Sequence, residues 1–210
     1  MSTHAQRENP MEKRLLHLIL GTSLTCGGAI SYAGDSTPLP YADGACNHIH
    51  EALEYFRCGA EWGDAGMQFN LGLLYHRGLK GATKDYQEAL KWYMNAAEQG
   101  DMSATYNIGF MHKKGQGVPQ DYGQAVKWFR KAAEEGDSDA QYSLADLYFG
   151  GHGVQRDYIY AHMWLNIAAA NGDEDAVEFR DQLSARMTQD QIAEAHQLAR
   201  ECLKRDHKDC

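Results

Sequence analysis

An all-α solenoid of paired helices is the fold this sequence predicts. Three observations predict it: a dipeptide that returns at a fixed interval, an apolar stripe with helical spacing inside each interval, and glycines where helices should end. Gly-Asp recurs as Gly63-Asp64, Gly100-Asp101, Gly136-Asp137 and Gly172-Asp173, at intervals of 37, 36 and 36 residues. The same landmarks return in register between these marks: Tyr86, Tyr122 and Tyr158; Ala89, Ala125 and Ala161; Trp92, Trp128 and Trp164. A period of this length marks stacked helix pairs that bury their apolar faces on one another.

The chain has 210 residues, 43% hydrophobic and 23% charged, which excludes a disordered or fibrous class. Its formal net charge of −9, with no long basic run, argues against a nucleic-acid partner.

The elements follow in order. In residues 1–33, Lys13 and Arg14 lead into Leu15, Leu16, Leu18, Ile19 and Leu20, and an apolar, small-residue stretch runs to Ser31-Tyr32-Ala33. This order reads as an export signal cleaved after Ala33, with translation starting at Met1 or Met11. The stretch is shorter than the roughly 20 residues of a membrane span, so only an uncleaved signal would tie the chain to a membrane. A flexible segment, 34–44, is expected next. Residues 45–63 read as a degenerate half repeat, with Ala52, Tyr55, Phe56, Gly59 and Ala60 on one stripe.

Three full units follow, at 64–100, 101–136 and 137–172. Each opens with a shorter helix, in which Leu71, Leu74 and Tyr75 match Ile108, Met111 and His112, then Leu144, Leu147 and Tyr148. Gly72 and Gly109 lie inside these helices at a cost of about 1 kcal/mol each relative to alanine, which predicts close approach of the partner helix. Ala145 takes that place in the third unit. The second helix carries the stripe Ala125, Trp128, Phe129, Ala132, Ala133 and its counterparts, and the shared tryptophan is expected between helices. Asp85 and Asp121 have the spacing of helix caps, and Gly100, Gly136 and Gly172 end the helices. Residues 173–210 read as capping helices and a tail, the last helix opened by a capping box from Thr188 to Gln191.

The pattern Ala-x-x-x-Leu-Gly-x-x-Tyr, Gly-x-Gly-Val-x-x-Asp-Tyr, Ala-x-x-Trp-[Tyr/Phe]-x-x-Ala-Ala-Glu-x-Gly-Asp resembles the Sel1-like repeat, a relative of the tetratricopeptide repeat. Residues 101–136 follow it almost throughout; 64–100 depart at Met67 and 137–172 at Ala145. The resemblance implies a right-handed α/α superhelical solenoid. It also implies an exported adaptor, periplasmic or secreted, that binds another protein or peptide in the cell envelope, with no catalytic residues and no cofactor. The alternative it carries is a cell-wall-fragment or penicillin-binding protein with weak β-lactamase-like hydrolase activity.

By analogy with tetratricopeptide proteins, the first helices line a concave binding face. The transferred positions are Phe69, Leu73, His76 and Arg77; Tyr106, Phe110, Lys113 and Lys114; and Tyr142, Asp146 and Phe149. Phe69, Tyr106 and Tyr142 are equally readable as packing between units, and Arg77, Lys113 and Lys114 as solvated helix ends.

Removal of Cys26 with the signal leaves Cys46, Cys58, Cys202 and Cys210, which permit three connectivities. The sequence-local pairing staples each end of the chain. It requires Cys46 to fold back from a loop, because on one unbroken helix it would stand about 18 Å from Cys58. Cys46, His48, His50 and Cys58 match no compact zinc spacing, and no metal is expected. His162 stands where the other units have Leu90 and Val126, and reads as a tolerated, partly buried histidine. Ser184-Ala185-Arg186-Met187 lacks the lysine of a Ser-x-x-Lys motif, and no nucleophile is recognisably paired with a base.

Overall fold

The computed structural model describes residues 52–208 and 210. The expected signal peptide 1–33, the segment 34–44 and Cys46, His48 and His50 lie outside the described residues. The described chain is helical: α1 (Ala52–Glu61), α2 (Ala65–Arg77), α3 (Tyr86–Glu98), α4 (Met102–Lys114), α5 (Tyr122–Glu134), α6 (Ser138–Gly150), α7 (Tyr158–Ala170), α8 (Glu174–Ser184) and α9 (Gln189–Lys204). Helices α2 and α3, α4 and α5, and α6 and α7 pair within units, while α1 packs on α2, α3 on α4 and α5 on α6.

The recurring Gly-Asp acts at each boundary as a stop followed by a start. Gly63, Gly100, Gly136 and Gly172 adopt φ of +95°, +89°, +95° and +91°, a turn only glycine enters without strain. The aspartate that follows caps the next helix: Asp64, Asp101, Asp137 and Asp173 each accept the backbone N–H three residues on, at 2.6 to 3.0 Å. Asp85, Asp121 and Asp157 do the same for the second helices. Asp157 manages this without a polar residue at Tyr160, through the Ile159 and Tyr160 amides. Thr188 and Gln191 form the reciprocal capping box at α9.

Within each pair, the glycine of the first helix admits an aromatic ring of the second. A Cβ at Gly72 would stand 2.7 Å from Cδ1 of Tyr93, and one at Gly109 would stand 2.8 Å from Cδ1 of Phe129. Both rings are fully buried, and each such burial contributes roughly 2 to 3 kcal/mol. In the third unit Ala145 and Leu165 take the two places, a larger residue on one helix beside a smaller one on the other, and both are buried.

The end of the stack is built differently. Helix α7 contacts α6, α8 and α9, and its side chains Met163, Trp164, Leu165 and Ile167 have at most 1% exposure. At the corresponding positions α3 and α5 carry Lys91 and Lys127 in place of Met163, and Asn95 and Lys131 in place of Ile167. The third unit has thus exchanged its polar back for an apolar one, and α9 lies on it. The shared tryptophan consequently has two environments. Trp164 is fully buried, whereas Trp92 and Trp128 are only half-buried, beneath the ammonium groups of Lys91 and Lys131 at 5.4 and 5.6 Å. The expectation that Trp128 lies between helices is corrected on this ground: among the described residues no helix covers α5 as α9 covers α7.

Beyond α9 the chain turns back through Asp206 and His207, both at positive φ, and Cys202 and Cys210 form a disulfide with Cα atoms 5.4 Å apart. Lys208 reaches Glu135 at the end of α5, at 2.6 Å. Cys58 is also disulfide-bonded.

Candidate binding surface

The first-helix positions divide into two groups. Phe69, Leu73, His76 and Tyr106 are buried, at 8%, 3%, 6% and 5% exposure, which corrects the expectation that they line an open face. The cause is local: the Phe69 ring lies 5.8 Å from Tyr93 and the Tyr106 ring 5.4 Å from Phe129, so both pack against the rings that the interior glycines admit. His76 is held between units. Its Nε2 is 2.8 Å from Gln116 Oε1, its Nδ1 is 3.4 Å from the Tyr93 hydroxyl, and its ring meets Tyr86 edge-on at 5.3 Å. Gln116 lies 40 residues away in the next unit's turn, a pairing no local spacing reveals.

The second group stays accessible. Phe110, Tyr142 and Phe149 are half-buried, as are Arg77, Lys113 and Asp146, while Lys114 is exposed. Lys113 donates to Asp146 Oδ2 at 2.7 Å, an ion pair that crosses from α4 to α6. Lys114 Nζ sits 5.7 Å above the Phe110 ring. Phe149 stacks on Tyr158 at 5.5 Å and meets Phe179 edge-on at 5.2 Å, and Tyr142 also contacts Phe179. Arg186, on the loop between α8 and α9, places its guanidinium 5.7 Å from the Phe149 ring. Sequence reasoning missed Arg186, Arg156 and Phe179, because the repeat pattern stops before two of them and passes over the third.

The joints between units are not equivalent. At the first, Gln68 donates to the Ala60 carbonyl at 3.1 Å and accepts from Gln99. At the third, Gln141 donates to Ala133 at the same distance and accepts from Asn171. Arg57 donates to the Tyr75 hydroxyl and Arg130 to Tyr148, again at the first and third joints. The middle joint has Thr105, Met94 and His112 at these positions. Among the described residues the Thr105 hydroxyl bonds to the Asp101 carbonyl at the start of its own helix, and Nδ1 of His112 is buried without a partner. Burial holds the His112 imidazole below its ordinary pKa, with Asp121 partly offsetting this.

His162 is fully buried, at 1% exposure, which corrects the expectation of a partly buried ring. The Ser184 hydroxyl donates to the Arg180 carbonyl at 2.9 Å and lies 2.9 Å from His162 Nε2. Asn166 Nδ2 is 2.9 Å from His162 Nδ1. These bonds are mutually satisfied when the neutral ring donates from Nε2 to Ser184 and accepts at Nδ1 from Asn166. Burial, then the neighbouring His196 and Arg180, push the His162 pKa down to about 4, with Asp181 acting the other way. In this wiring the serine proton points to a backbone carbonyl and the histidine offers it no lone pair. The pair closes α8 onto α7, and with this tautomer the ring is a donor toward the serine.

A family model described as Sel1 repeat matches residues 47–64, 65–101, 103–137 and 138–173. No curated protein sequence matches the chain. Among solved structures, the Sel1 repeat protein from Oxalobacter formigenes is 34% identical at a TM-score of 0.60, over 74% of this chain and 66% of that one. A protective antigen present in uropathogenic Escherichia coli strains, displaying an SLR fold, is 31% identical at a TM-score of 0.49, over 72% of this chain and 40% of its own. Cysteine rich protein B of Helicobacter pylori is 19% identical at a TM-score of 0.50, over 64% of this chain and 96% of its own, and shares the fold alone. The chain thus spans just under two thirds of the first of these proteins and less than half of the second.

Proposed function

The chain belongs to the Sel1 repeat family, a protein-interaction scaffold fold, and from that premise we propose that it is an exported adaptor that holds another protein or peptide on the face lined by its first helices. The observation that carries this reading is the contrast within one strip. Phe69, Leu73 and Tyr106 are consumed by packing, yet Phe110, Tyr142 and Phe149 keep part of their rings open beside a cross-unit ion pair. Aromatic side chains presented on a rigid support lose little entropy on binding and dominate interface energies.

Export is supported by the Lys13-Arg14 start, the apolar run that follows and the small residues up to Ala33. The disulfide between Cys202 and Cys210 suits an oxidising compartment, the periplasm or the exterior. Sel1 repeat proteins are generally non-catalytic scaffolds. The hydrolase alternative gains no support from Ser184, whose hydroxyl donates to the Arg180 carbonyl.

The test is crosslinking of the chain from Gly34 in its native compartment, beside a Phe110→Ala, Phe149→Ala double variant whose helix content is checked by circular dichroism. A partner identified by mass spectrometry with the parent and lost with the folded variant supports the adaptor. Equal recovery by both removes the strip from the account.

A further inference from the structure

The accessible strip carries a charge opposite to that of the chain as a whole. The protein has a net charge of −9, yet three exposed cations, Lys114, Arg156 and Arg186, surround the open aromatic rings. Some cations of the chain find carboxylates, Arg57 with Glu54, Lys91 with Glu88 and Lys208 with Glu135, while Lys84 and Lys131 lie singly over the Tyr86 and Trp128 rings. Lys114, Arg156 and Arg186 have no carboxylate within 4.0 Å among the described residues and converge on neighbouring rings: Lys114 over Phe110, Arg186 over Phe149, and Arg156 at 5.8 Å over Tyr158. Three carboxylates of the second and third units are already engaged. Asp146 holds Lys113, and Asp121 and Asp157 cap helices. Phe149 and Tyr158 stack with an interplanar angle of 23°, so the two arginines cover one continuous aromatic pair.

A guanidinium resting on a ring is held by its charge and leaves its N–H fork for a planar acceptor. Its side chain is already ordered, so less freedom is lost when an acceptor arrives. The rings between the cations offer apolar contact area. We propose that this surface takes an acidic peptide segment, whose carboxylates meet Lys114, Arg156 and Arg186 while an apolar side chain lies against Phe110, Tyr142 and Phe149. This deepens the adaptor reading and rests on it. A polynucleotide fits less well, because its dense charge would extend over the acidic remainder of the chain.

Fluorescence anisotropy tests the proposal with a labelled peptide, Glu-Asp-Leu-Glu-Asp-Phe, and a counterpart with lysine at each acidic position. The acidic peptide is expected to bind about tenfold or more tightly than the lysine peptide and to weaken as salt rises. A Lys114→Gln, Arg186→Gln variant, altered only at exposed side chains, should lose about tenfold. A Lys127→Gln, Lys131→Gln variant removes equal charge from α5 and should bind as the parent does. Equal affinity for the two peptides, no binding of the acidic one, or equal loss in both variants overturns the proposal. Crosslinking separates this from the broader reading. A partner lost by the Phe110→Ala, Phe149→Ala variant and kept by Lys114→Gln, Arg186→Gln leaves the adaptor standing and removes the acidic segment; a partner kept by both removes the adaptor as well.

Discussion

The Cβ that Gly109 lacks would stand 2.8 Å from Cδ1 of Phe129, a ring with no exposed surface, on the facing helix of the same unit. No real pair of atoms of this kind sits so close, and α4 and α5 have packed to a separation that presupposes the missing methyl. Gly72 with Tyr93 repeats the relationship, and Ala145 with Leu165 shows the exchange that accommodates a Cβ.

Gly109→Ala should therefore destabilise the protein, although alanine is the better helix former by about 1 kcal/mol. Overpacking of about 1 to 3 kcal/mol opposes that gain. Adding Phe129→Leu, the pairing of the third unit, should give a favourable coupling of about 1 kcal/mol or more in a double-mutant cycle measured by urea unfolding. Strict additivity would show that the glycine serves no fit to the ring.

The two classes of tryptophan should separate in the same experiment. Trp164→Ala empties a fully buried site and should cost about 3 to 5 kcal/mol. Trp128→Ala removes a half-exposed ring and should cost well under half as much. Similar losses at both positions would mean that α5 is covered as α7 is.

The buried histidine predicts a pH response. Its folded pKa of about 4 lies below the ordinary 6.5, so the unfolded chain binds the proton first as pH falls between these values. The contribution of neutral His162 is present above pH 6.5 and is lost on acidification towards pH 4, at about 1.4 kcal/mol for each pH unit crossed. Asp137 runs the other way: burial, then Asp139, raise its carboxyl to about 7 against the pull of two backbone amides, so its effect costs stability as pH rises. The two slopes overlap, and the parent's profile alone does not separate them. The difference between parent and His162→Val, which copies Val126, should grow with pH between about 4 and 6.5. A pH-independent difference would place the charge on that ring in the folded state.

At the middle joint, Met94→Arg with His112→Tyr should reproduce the bond that Arg57 makes to Tyr75 and Arg130 to Tyr148. It also removes the orphaned imidazole nitrogen. A gain of about 1 kcal/mol is expected from thermal unfolding, with neither single change reaching it. A double variant no more stable than the better single one would show that the joint tolerates no second bond.

The helices and their boundaries were legible because both are set locally. Aspartate caps, left-handed glycines and a 3.6-residue stripe act within a few residues of themselves. The strip was legible only in outline. Whether an aromatic such as Tyr106 lines a face or fills a gap depends on the glycine three residues on and the ring it admits from another helix. Reading Gly109 together with Phe129 would have removed Tyr106 from the binding set. The burial of α7 also left a trace, in Met163 and Ile167 standing where lysine or asparagine stood before. Arg186 left none, since it reaches Phe149 from beyond the repeats.

The apolar back of α7 also limits how such an array can grow. A duplication that copied residues 101–136 would insert a module whose outward side chains, Lys127 and Lys131, are already exposed. One that copied 137–172 would leave a second Met163, Trp164 and Ile167 with no α9 to cover them, and a second His162 without Ser184. Copy number in this lineage can therefore change by insertion upstream of the third unit, while the last unit and its two closing helices must be inherited as one block.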